Sequence, residues 1–268
     1  MPGSVTNFAP MAAEVESETT EDAVLGGRLI LRQPRRGHRV GHDAILLAAA
    51  AEARAGEHVV ELGAGVGAAG LALAQRVAGI QVSLIEIDAA LAGLARDNAA
   101  RNGLADRVRI AVLDVAAPER EFAAAGIETG TAAHILMNPP FNDPARQNLS
   151  PDAKRRLAHA ASADTLTRWI GRAASLLAPS GTLTLIWRAD GLANVLAAAG
   201  VEFGGILVLP VYPRPNAAAI RILLRAVKGS RAPLAVMPGL TLNDADGRPS
   251  AEAEAILRGG KTLRWEET

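Results

Sequence analysis

The chain of 268 residues contains no cysteine, which excludes disulfide bonds, thiolate metal sites and cysteine nucleophiles. Aromatic residues make up only 3% of it, whereas 49% is hydrophobic, mainly alanine, leucine and valine, so we expect a core of close-packed helices and aliphatic strands. No uninterrupted apolar run reaches the roughly 18 residues of a membrane span, and no basic region followed by an apolar stretch opens the sequence. These absences predict a soluble cytoplasmic protein with neither a membrane partner nor a bound metal.

Positive charge is not in excess, because 28 Lys and Arg residues balance 28 Asp and Glu residues. Taken alone, a zero net charge argues against a nucleic-acid partner. The charges are nevertheless unevenly distributed, since residues 1–27 carry only acids while residues 28–39 and 203–243 carry only bases. These two basic segments are either solvated surface or a surface that faces phosphate groups. They contain Arg28, Arg32, Arg35, Arg36 and Arg39, and then Arg214, Arg221, Arg225, Lys228 and Arg231.

Strand and helix patterns alternate from Asp43 onward, after a small, polar and acidic stretch at residues 1–20 that we expect to be a disordered tail. The predicted strands are His58–Leu62, Gln81–Ile87, Val108–Val115, Ala133–Met137 and Thr182–Trp187. The predicted helices are Ala44–Ala53 behind an Asp43 cap and before Gly56, Val66–Val77, Ala89–Asn102 and Ala163–Leu177. Such alternation requires crossover connections, which predict an α/β, Rossmann-like fold with a mostly parallel central sheet and helices on both faces.

The pattern changes beyond Gly200, where Gly204–Val211 and Ile220–Val227 are two longer extended runs joined by a proline-rich turn. These runs predict an antiparallel C-terminal hairpin at the edge of the sheet. Residues 229–268 form a polar, charged extension in which Ala251–Leu257 is a predicted short helix. The sequence thus predicts one α/β domain over residues 21–228, between the acidic tail and the extension.

A glycine-rich turn follows the first predicted strand, in the sequence Glu61-Leu62-Gly63-Ala64-Gly65-Val66-Gly67. Glycines let the backbone approach a ligand closely, and the start of the next helix offers free amides. Gly63, Gly65 and Ala68 also fit the G-x-G-x-x-A pattern of dinucleotide-binding proteins, so a nicotinamide-dependent oxidoreductase is an alternative. Glu61 favours S-adenosylmethionine as the cofactor instead, because a carboxylate suits the ammonium group of a methionine moiety better than it suits a pyrophosphate.

Acids also lie where the next two predicted strands end. Glu86 is placed to accept hydrogen bonds from ribose hydroxyls, with Ile87 packing on the adenine of the cofactor. The alternative for Glu86 is a helix N-terminal acid, a role that Asp88 fills equally well. Asp114 is placed to accept from the amino group of the cofactor adenine, or else it only forms a turn.

The sequence Asn138-Pro139-Pro140-Phe141 ends the fourth predicted strand. Two prolines leave few amide donors, so the local carbonyls face a pocket rather than a helix. An exocyclic amino group of a nucleobase is a poor nucleophile, and acceptors at Asn138 and Pro139 would let its nitrogen pyramidalise towards a methyl donor. Phe141 would stack on the base. The alternative is that the two prolines merely end a buried strand.

Asn138 to Phe141 matches the N-P-P-[YF] signature, and the chain resembles the bacterial tRNA1(Val) (adenine-N6)-methyltransferase family over nearly all of its length after the tail. The resemblance implies a class I methyltransferase fold, S-adenosylmethionine as cofactor and methylation of the adenosine next to the anticodon of a tRNA. It also implies that Asp43 borders the cofactor. Beyond the N-P-P-F motif and the glycine turn, it is carried by residues 21–28, by 41–47, by Pro213-Arg214, and by residues 228–234 and 238–240.

Two other amino substrates fit the same signature, a glutamine amide of a protein and a guanine of ribosomal RNA. The two basic segments favour RNA, because a protein amide does not require unopposed arginines whereas a phosphate backbone does. Against the oxidoreductase, no Lys, Tyr or His stands in a pattern that would relay a proton, and N-P-P-F has no role in hydride transfer. Phe141 stands where many family members have Tyr, and it retains the ability to stack.

Overall fold

The computed structural model describes residues 18–36, 40–140, 151–200 and 202–265, with the backbone alone for residues 151–163. The strands are β1 (Thr19–Val24), β2 (Leu29–Pro34), β3 (His58–Leu62), β4 (Gln81–Glu86), β5 (Val108–Val112), β6 (Ala132–Met137), β7 (Leu177–Arg188), β8 (Phe203–Tyr212), β9 (Arg221–Lys228), β10 (Ala235–Val236) and β11 (Leu240–Thr241). The helices are α1 (His42–Ala50), α2 (Ala68–Arg76), α3 (Ala89–Arg101), α4 (Glu119–Ala124), α5 (Pro151–Leu176), α6 (Leu192–Ala199) and α7 (Ala251–Leu257).

A nine-stranded sheet in the order β10-β8-β9-β7-β6-β3-β4-β5 forms the centre, with β11 also paired to β8. The pairs β3–β4, β4–β5, β3–β6 and β6–β7 are parallel, whereas β9 runs antiparallel to both β7 and β8. This arrangement confirms the predicted α/β class and its antiparallel C-terminal hairpin. The strand order reverses between β3 and β6, and ligands of open α/β sheets bind at the carboxyl ends of the strands beside such a reversal.

Two hydrophobic cores cover the two faces of the sheet. One of them includes Leu46 of α1 and Leu71 of α2, and the other includes Phe122 of α4 and Ile170 of α5. Alanines fill much of the first core, which agrees with the close helix packing expected from a composition poor in aromatics. No helix within the described residues is long and apolar enough to cross a membrane.

An N-terminal hairpin of β1 and β2 was not expected from the sequence. Thr19 pairs with Pro34, so the strand begins within the last residues of the predicted tail, while residues 1–17 lie outside the described chain. β1 is polar and gives no apolar alternation, but β2 buries Leu29, Leu31 and Gln33 in turn. The hairpin is therefore anchored through β2 rather than through β1.

The C-terminal extension packs on the same domain. β10 and β11 add parallel pairs to β8, and the Leu263 amide donates to the Ala49 carbonyl of α1 at 2.9 Å. Trp265 is buried, and its indole Nε1 donates to the Ala50 carbonyl at 2.8 Å. Leu263 and Trp265 belong to the first core, so the described part of the extension is continuous with the α/β domain.

Helix α1 differs from its predicted range at both ends. Gly41 is its N-cap residue and makes no side-chain cap bond, so the prediction that Asp43 caps the helix was wrong. The Asp43 carboxylate instead accepts from the Arg221 guanidinium at 2.8 Å. The helix ends at Ala50 because Ala51 is extended, and the Arg76 guanidinium, rather than a glycine turn, binds the carbonyls of Ala48 and Ala51.

Candidate active site

The glycine turn lies at the carboxyl end of β3 and leads directly into α2. Gly63, Gly65 and Gly67 all have positive φ angles, of 68°, 57° and 85°, a region that residues with a Cβ rarely occupy. Gly67 is the N-cap of α2 and has no side chain to satisfy the amides of the first helical turn. The turn therefore presents bare backbone beside the strand reversal, which suits close approach by a ligand.

Glu61 lies beneath this turn, and only 5% of its surface is exposed. Its Oε2 accepts from the Gly70 amide in the first turn of α2 at 2.7 Å. Burial raises the pKa of the Glu61 carboxyl to about 8, an effect that the charge of Glu86 adds to and the Gly70 hydrogen bond opposes. In the protein alone, Glu61 is consequently protonated at neutral pH and joins β3 to the start of α2.

Glu86 is buried at the end of β4, and both of its carboxylate oxygens accept backbone amides. Oε2 accepts from Gly65 at 2.7 Å, and Oε1 accepts from Asp88 at 2.9 Å. Asp88 is the N-cap of α3 and accepts from Ala90 and Leu91, so the helix-capping role belongs to Asp88. Glu86 instead ties the second glycine of the turn to the end of β4.

Apolar side chains are exposed next to these acids. Ile87, directly after β4, is 64% exposed, and Val112, which is paired with Glu86 at the end of β5, is 48% exposed. Sequence reasoning identified Ile87 but not Val112. Asp114 is exposed and accepts from the Ala116 amide at 2.8 Å, so it forms the local turn that was its alternative role.

Asn138 follows β6, the strand that pairs with β3 at the reversal of strand order, with Met137 opposite Leu62. Its side-chain oxygen Oδ1 is buried, and among the described residues it has no hydrogen-bond partner. Pro139 is buried and Pro140 is exposed, whereas Phe141 lies outside the described residues. The structure thus brings an unsatisfied acceptor to the edge that carries the glycine turn and Glu86.

Trp169 of α5 is a site residue that the sequence analysis did not single out, because it lies within the predicted helix Ala163–Leu177. The residue is only partly buried, and its indole ring lies against Gly63 so closely that a Cβ on that glycine would overlap it. The sequence gives no signal for this contact, since Gly63 and Trp169 are brought together only by the packing of α5 on the sheet. Trp169 forms a wall beside the glycine turn.

The basic segments are divided by the fold. Arg221 starts β9 opposite Arg188 at the carboxyl end of β7, so it lies at the edge of the sheet that carries the site. Arg225 is four residues further down β9, about 13 Å away at roughly 3.3 Å per residue, and pairs with Glu52. The Lys228 ammonium donates to the Leu177 carbonyl at the opposite end of β7. These basic residues are neighbours in the sequence, but they do not form one surface in the fold.

The glycine turn after β3 and the N-P-P-F motif after β6, on a sheet ordered β5-β4-β3-β6-β7-β9-β8, define a class I methyltransferase domain. Residues 38–199 match the family described as Methyltransferase small domain, and the chain belongs to that family. No group of His, Asp or Glu in the described part of the chain is arranged to hold a metal ion.

Relatives of this chain carry a more specific name. The tRNA1(Val) (adenine(37)-N6)-methyltransferase of Porphyromonas gingivalis is 37% identical over 161 residues, which cover 59% of this chain and 61% of that protein. The chain thus spans about three fifths of the length of that relative. The enzyme of the same name from Bacteroides thetaiotaomicron is 30% identical over 192 residues, which cover 69% of this chain and 75% of that protein.

Among solved structures, a protein described as a predicted O-methyltransferase from Agrobacterium tumefaciens superposes with a TM-score of 0.71. It is 27% identical, and the match covers 84% of this chain and all of that one. An S-adenosylmethionine-dependent O-methyltransferase from Thermotoga maritima has a TM-score of 0.50 at 20% identity, over 74% of this chain and 69% of that one, and supports the fold alone.

Proposed function

We propose that this protein transfers a methyl group from S-adenosylmethionine to the exocyclic amino nitrogen of an adenine in tRNA, the adenosine 3′ of the anticodon. The observation that carries the proposal is the buried Oδ1 of Asn138, which lacks a donor among the described residues. A buried acceptor without a donor costs about 1–3 kcal/mol. An amino group of a substrate would supply the missing hydrogen bond at the end of the strand where the methyl donor is expected.

The residues around the glycine turn fit the cofactor, which supplies an electrophilic methyl group when it is bound. Gly63, Gly65 and Gly67 have positive φ angles and no side chains, so they allow its carboxylate to approach the backbone closely at the start of α2. We propose that Glu86 contacts its ribose and that Ile87 and Asp114 contact its adenine, while Glu61 lies near its ammonium group and Asp43 borders the site.

Glu61 would serve the ammonium group by electrostatics rather than by direct contact. Its Oε2 is committed to the Gly70 amide, and the carboxyl is protonated in the free protein. A cation bound above the turn favours the ionised carboxylate and lowers the pKa of Glu61. Cofactor binding near neutral pH would therefore release a proton from this residue.

The N-P-P-F motif would bind and orient the target base. Asn138 Oδ1 and the Pro139 carbonyl would each accept one hydrogen of the amino group, so that its nitrogen turns its lone pair towards the methyl group. Pro139 and Pro140 have no backbone N–H that could compete for these acceptors. We assign the stacking of the base to Phe141.

A hydroxyl substrate, which the name of the Agrobacterium tumefaciens protein suggests for that protein, fits these acceptors less well. A hydroxyl carries one hydrogen and must lose its proton during methylation, whereas a neutral carboxamide such as Asn138 is a poor base. A base amine carries two hydrogens for two acceptors, and it releases one of them as a proton to water only after its nitrogen has taken the methyl group. The exposed Arg35 and Arg36 after β2 further favour a polyanionic substrate over a protein amide.

Labelled S-adenosylmethionine, offered separately with total tRNA, ribosomal RNA and a protein extract, tests the substrate class. We expect label in N6-methyladenosine from tRNA after digestion to nucleosides. Label in glutamine of a protein, in guanine of ribosomal RNA or in a small hydroxyl compound would contradict the assignment. A tRNA preparation from cells that lack the gene supplies unmodified substrate, and mapping of the label then identifies the modified position.

Asn138→Ala tests the role of the carboxamide within the same assay. Because the amide acts on the amino group as its geometry changes, we expect kcat to fall by a hundredfold or more, about 3 kcal/mol, while cofactor affinity is retained. Asn194→Ala, on α6, is the matched control and should keep its activity. Near-normal turnover of a folded, cofactor-saturated Asn138→Ala variant would mean that N-P-P-F only ends a strand.

A further inference from the structure

Asn98 of α3 and Asn102, the C-cap residue that directly follows this helix, lie one turn apart and bind the free edge of β2. Asn102 Oδ1 accepts from the Ile30 amide at 2.9 Å, and its Nδ2 donates to the Ile30 carbonyl at 2.8 Å. Asn98 Oδ1 accepts from the Arg32 amide at 2.7 Å, and its Nδ2 donates to the Arg32 carbonyl at 3.0 Å. Each carboxamide thus imitates a residue of a neighbouring strand, and together they fix the hairpin on α3.

The two asparagines differ in one further contact. Asn98 Nδ2 also donates to the Val66 carbonyl at 3.1 Å, and Val66 lies inside the glycine turn. Asn102 Nδ2 donates instead to the Asn98 carbonyl of its own helix at 2.7 Å. Asn98 is 0% exposed, so no water competes for these bonds. One buried side chain therefore holds both the cofactor turn and the hairpin.

The hairpin in turn positions the segment that leads to the carboxyl edge of the sheet, where the substrate is expected. Gln33 is buried next to Arg32, and its Oε1 accepts from the Val40 amide at 2.8 Å. Its Nε2 donates to Asp22 Oδ2 of β1 at 2.5 Å. Val40 lies just before α1, whose Asp43 pairs with Arg221 at the carboxyl edge of the sheet. Hydrogen bonds thus run from the glycine turn through Asn98 and β2 to the start of α1.

The direction of β2 places the exposed arginines that follow it near the site. Ile30 lies beside Asn102, and Arg32 lies one helical turn nearer to the N-terminus of α3, beside Asn98 and the glycine turn. Continuing in that direction, β2 ends at Pro34, and Arg35 and Arg36 follow as exposed residues. These arginines therefore emerge towards the edge that carries the glycine turn.

We propose that Asn98 is a positioning residue that couples cofactor binding to tRNA binding, an inference that rests on the function proposed above. A cofactor seated on the glycine turn favours the geometry in which the Val66 carbonyl accepts from Asn98. The same carboxamide fixes Arg32, and through β2 it fixes Arg35 and Arg36. Because linkage is reciprocal, bound cofactor raises the affinity for tRNA and bound tRNA raises the affinity for cofactor by the same factor.

Asn98→Ala and Asn102→Ala form a matched pair, since both remove two bonds to β2 but only Asn98→Ala removes a bond to the glycine turn. Calorimetry with S-adenosylhomocysteine measures the cofactor site, and filter binding of tRNA with and without saturating S-adenosylhomocysteine measures the coupling. The wild type is expected to bind tRNA about fivefold or more tightly with S-adenosylhomocysteine present. Asn102→Ala should weaken tRNA binding in both conditions and keep the wild-type affinity for S-adenosylhomocysteine.

Asn98→Ala should bind S-adenosylhomocysteine about three- to tenfold more weakly. The affinity of this variant for tRNA should be the same with and without S-adenosylhomocysteine. A third variant, Gln33→Ala, leaves Asn98 intact and breaks the contact to Val40. We expect it to reduce the coupling without changing the affinity for S-adenosylhomocysteine. Should Asn98→Ala fail to fold by circular dichroism, Asn98→Ser shortens the side chain while retaining a polar group and takes its place.

Equal S-adenosylhomocysteine affinities of the Asn98 and Asn102 variants would overturn the positioning role. If the wild type bound tRNA with the same affinity with and without S-adenosylhomocysteine, the proposed coupling would be wrong. Failure of the proposed function has a different signature, in which the wild type binds S-adenosylhomocysteine but no tRNA. The comparison of cofactor affinities would still decide in that case whether Asn98 positions the glycine turn.

Discussion

Replacing Glu61 by glutamine is expected to stabilise the protein at high pH and to leave its stability near pH 4.5 almost unchanged. Burial raises the pKa of the Glu61 carboxyl from 4.5 to about 8 in the fold. Between these values the unfolded chain ionises Glu61 while the fold keeps it protonated, so the free energy of unfolding falls as pH rises, by about 1.4 kcal/mol per pH unit. Glutamine can still accept from Gly70 and does not titrate.

The stability difference between Glu61→Gln and the wild type should therefore grow with pH. At about 1.4 kcal/mol per pH unit it reaches roughly 3 kcal/mol at pH 7 and roughly 5 kcal/mol above pH 8, where both states are ionised. Urea unfolding at pH 5, 6, 7, 8 and 9 measures this difference directly. Burial lowers the pKa of His58 and of His134. Both histidines are present in the wild type and in the variant, so their contributions to the pH dependence of stability cancel in the difference.

Glu121→Gln, at an exposed position of α4, supplies the control for the substitution of a glutamate by glutamine. The prediction for Glu61 concerns the pH dependence, because a constant offset could arise from packing alone. If the difference between Glu61→Gln and the wild type were the same at pH 5 and pH 9, the buried carboxyl would not titrate in this range. The proton release proposed for cofactor binding would then lose its basis.

Three further perturbations separate the surfaces of the molecule. Arg35→Ala with Arg36→Ala should weaken tRNA binding and reduce the slope of log Kd against log salt by about two, whereas Arg225→Ala should leave that slope unchanged; equal slopes would refute a phosphate contact. Trp265→Ala should destabilise the domain by about 3–5 kcal/mol in urea unfolding, and a negligible loss would mean that the extension is only loosely attached. Gly63→Ala should abolish S-adenosylhomocysteine binding in calorimetry, because it distorts the glycine turn. The positive φ angle of Gly63 disfavours a residue with a Cβ, and the indole ring of Trp169 occupies the space that the methyl group would need.

The parts of the fold that the sequence predicted are those whose signals are local. His58–Leu62 and Ala251–Leu257 match the structure at both ends, because an apolar run meets glycines in the first and a serine cap precedes the second. The glycine turn and N-P-P-F were found for the same reason, since glycine and proline restrict the backbone where they stand. α5 extends twelve residues further back than predicted, to Pro151, and proline is favourable at the first position of a helix.

The parts that were not predicted depend on contacts between distant residues. β2 is held by Asn98 and Asn102, and the Asn98 bond to Arg32 joins residues 66 positions apart. Trp169 reaches Gly63 only because α5 packs on the sheet beside the turn. The basic residues Arg221 and Arg225 looked like one patch in sequence, yet an extended strand separates them along its length. Periodicity assigns a residue to an element, but it does not say which remote group that residue will meet.

Asn138 differs from the acids of the site in how its acceptor is satisfied. Glu61, Glu86 and Asp114 each accept a backbone amide of this chain, so they are satisfied without a ligand, whereas Asn138 Oδ1 has no donor among the described residues. Removing an acceptor that contributes no bond to the fold should cost little, so Asn138→Ala is expected to keep its free energy of unfolding within about 1 kcal/mol of the wild type while methyl transfer fails. Urea unfolding beside the methyl-transfer assay checks both halves. A large loss of stability would identify Asn138 as a structural terminus of β6 and remove the main support for amino methylation.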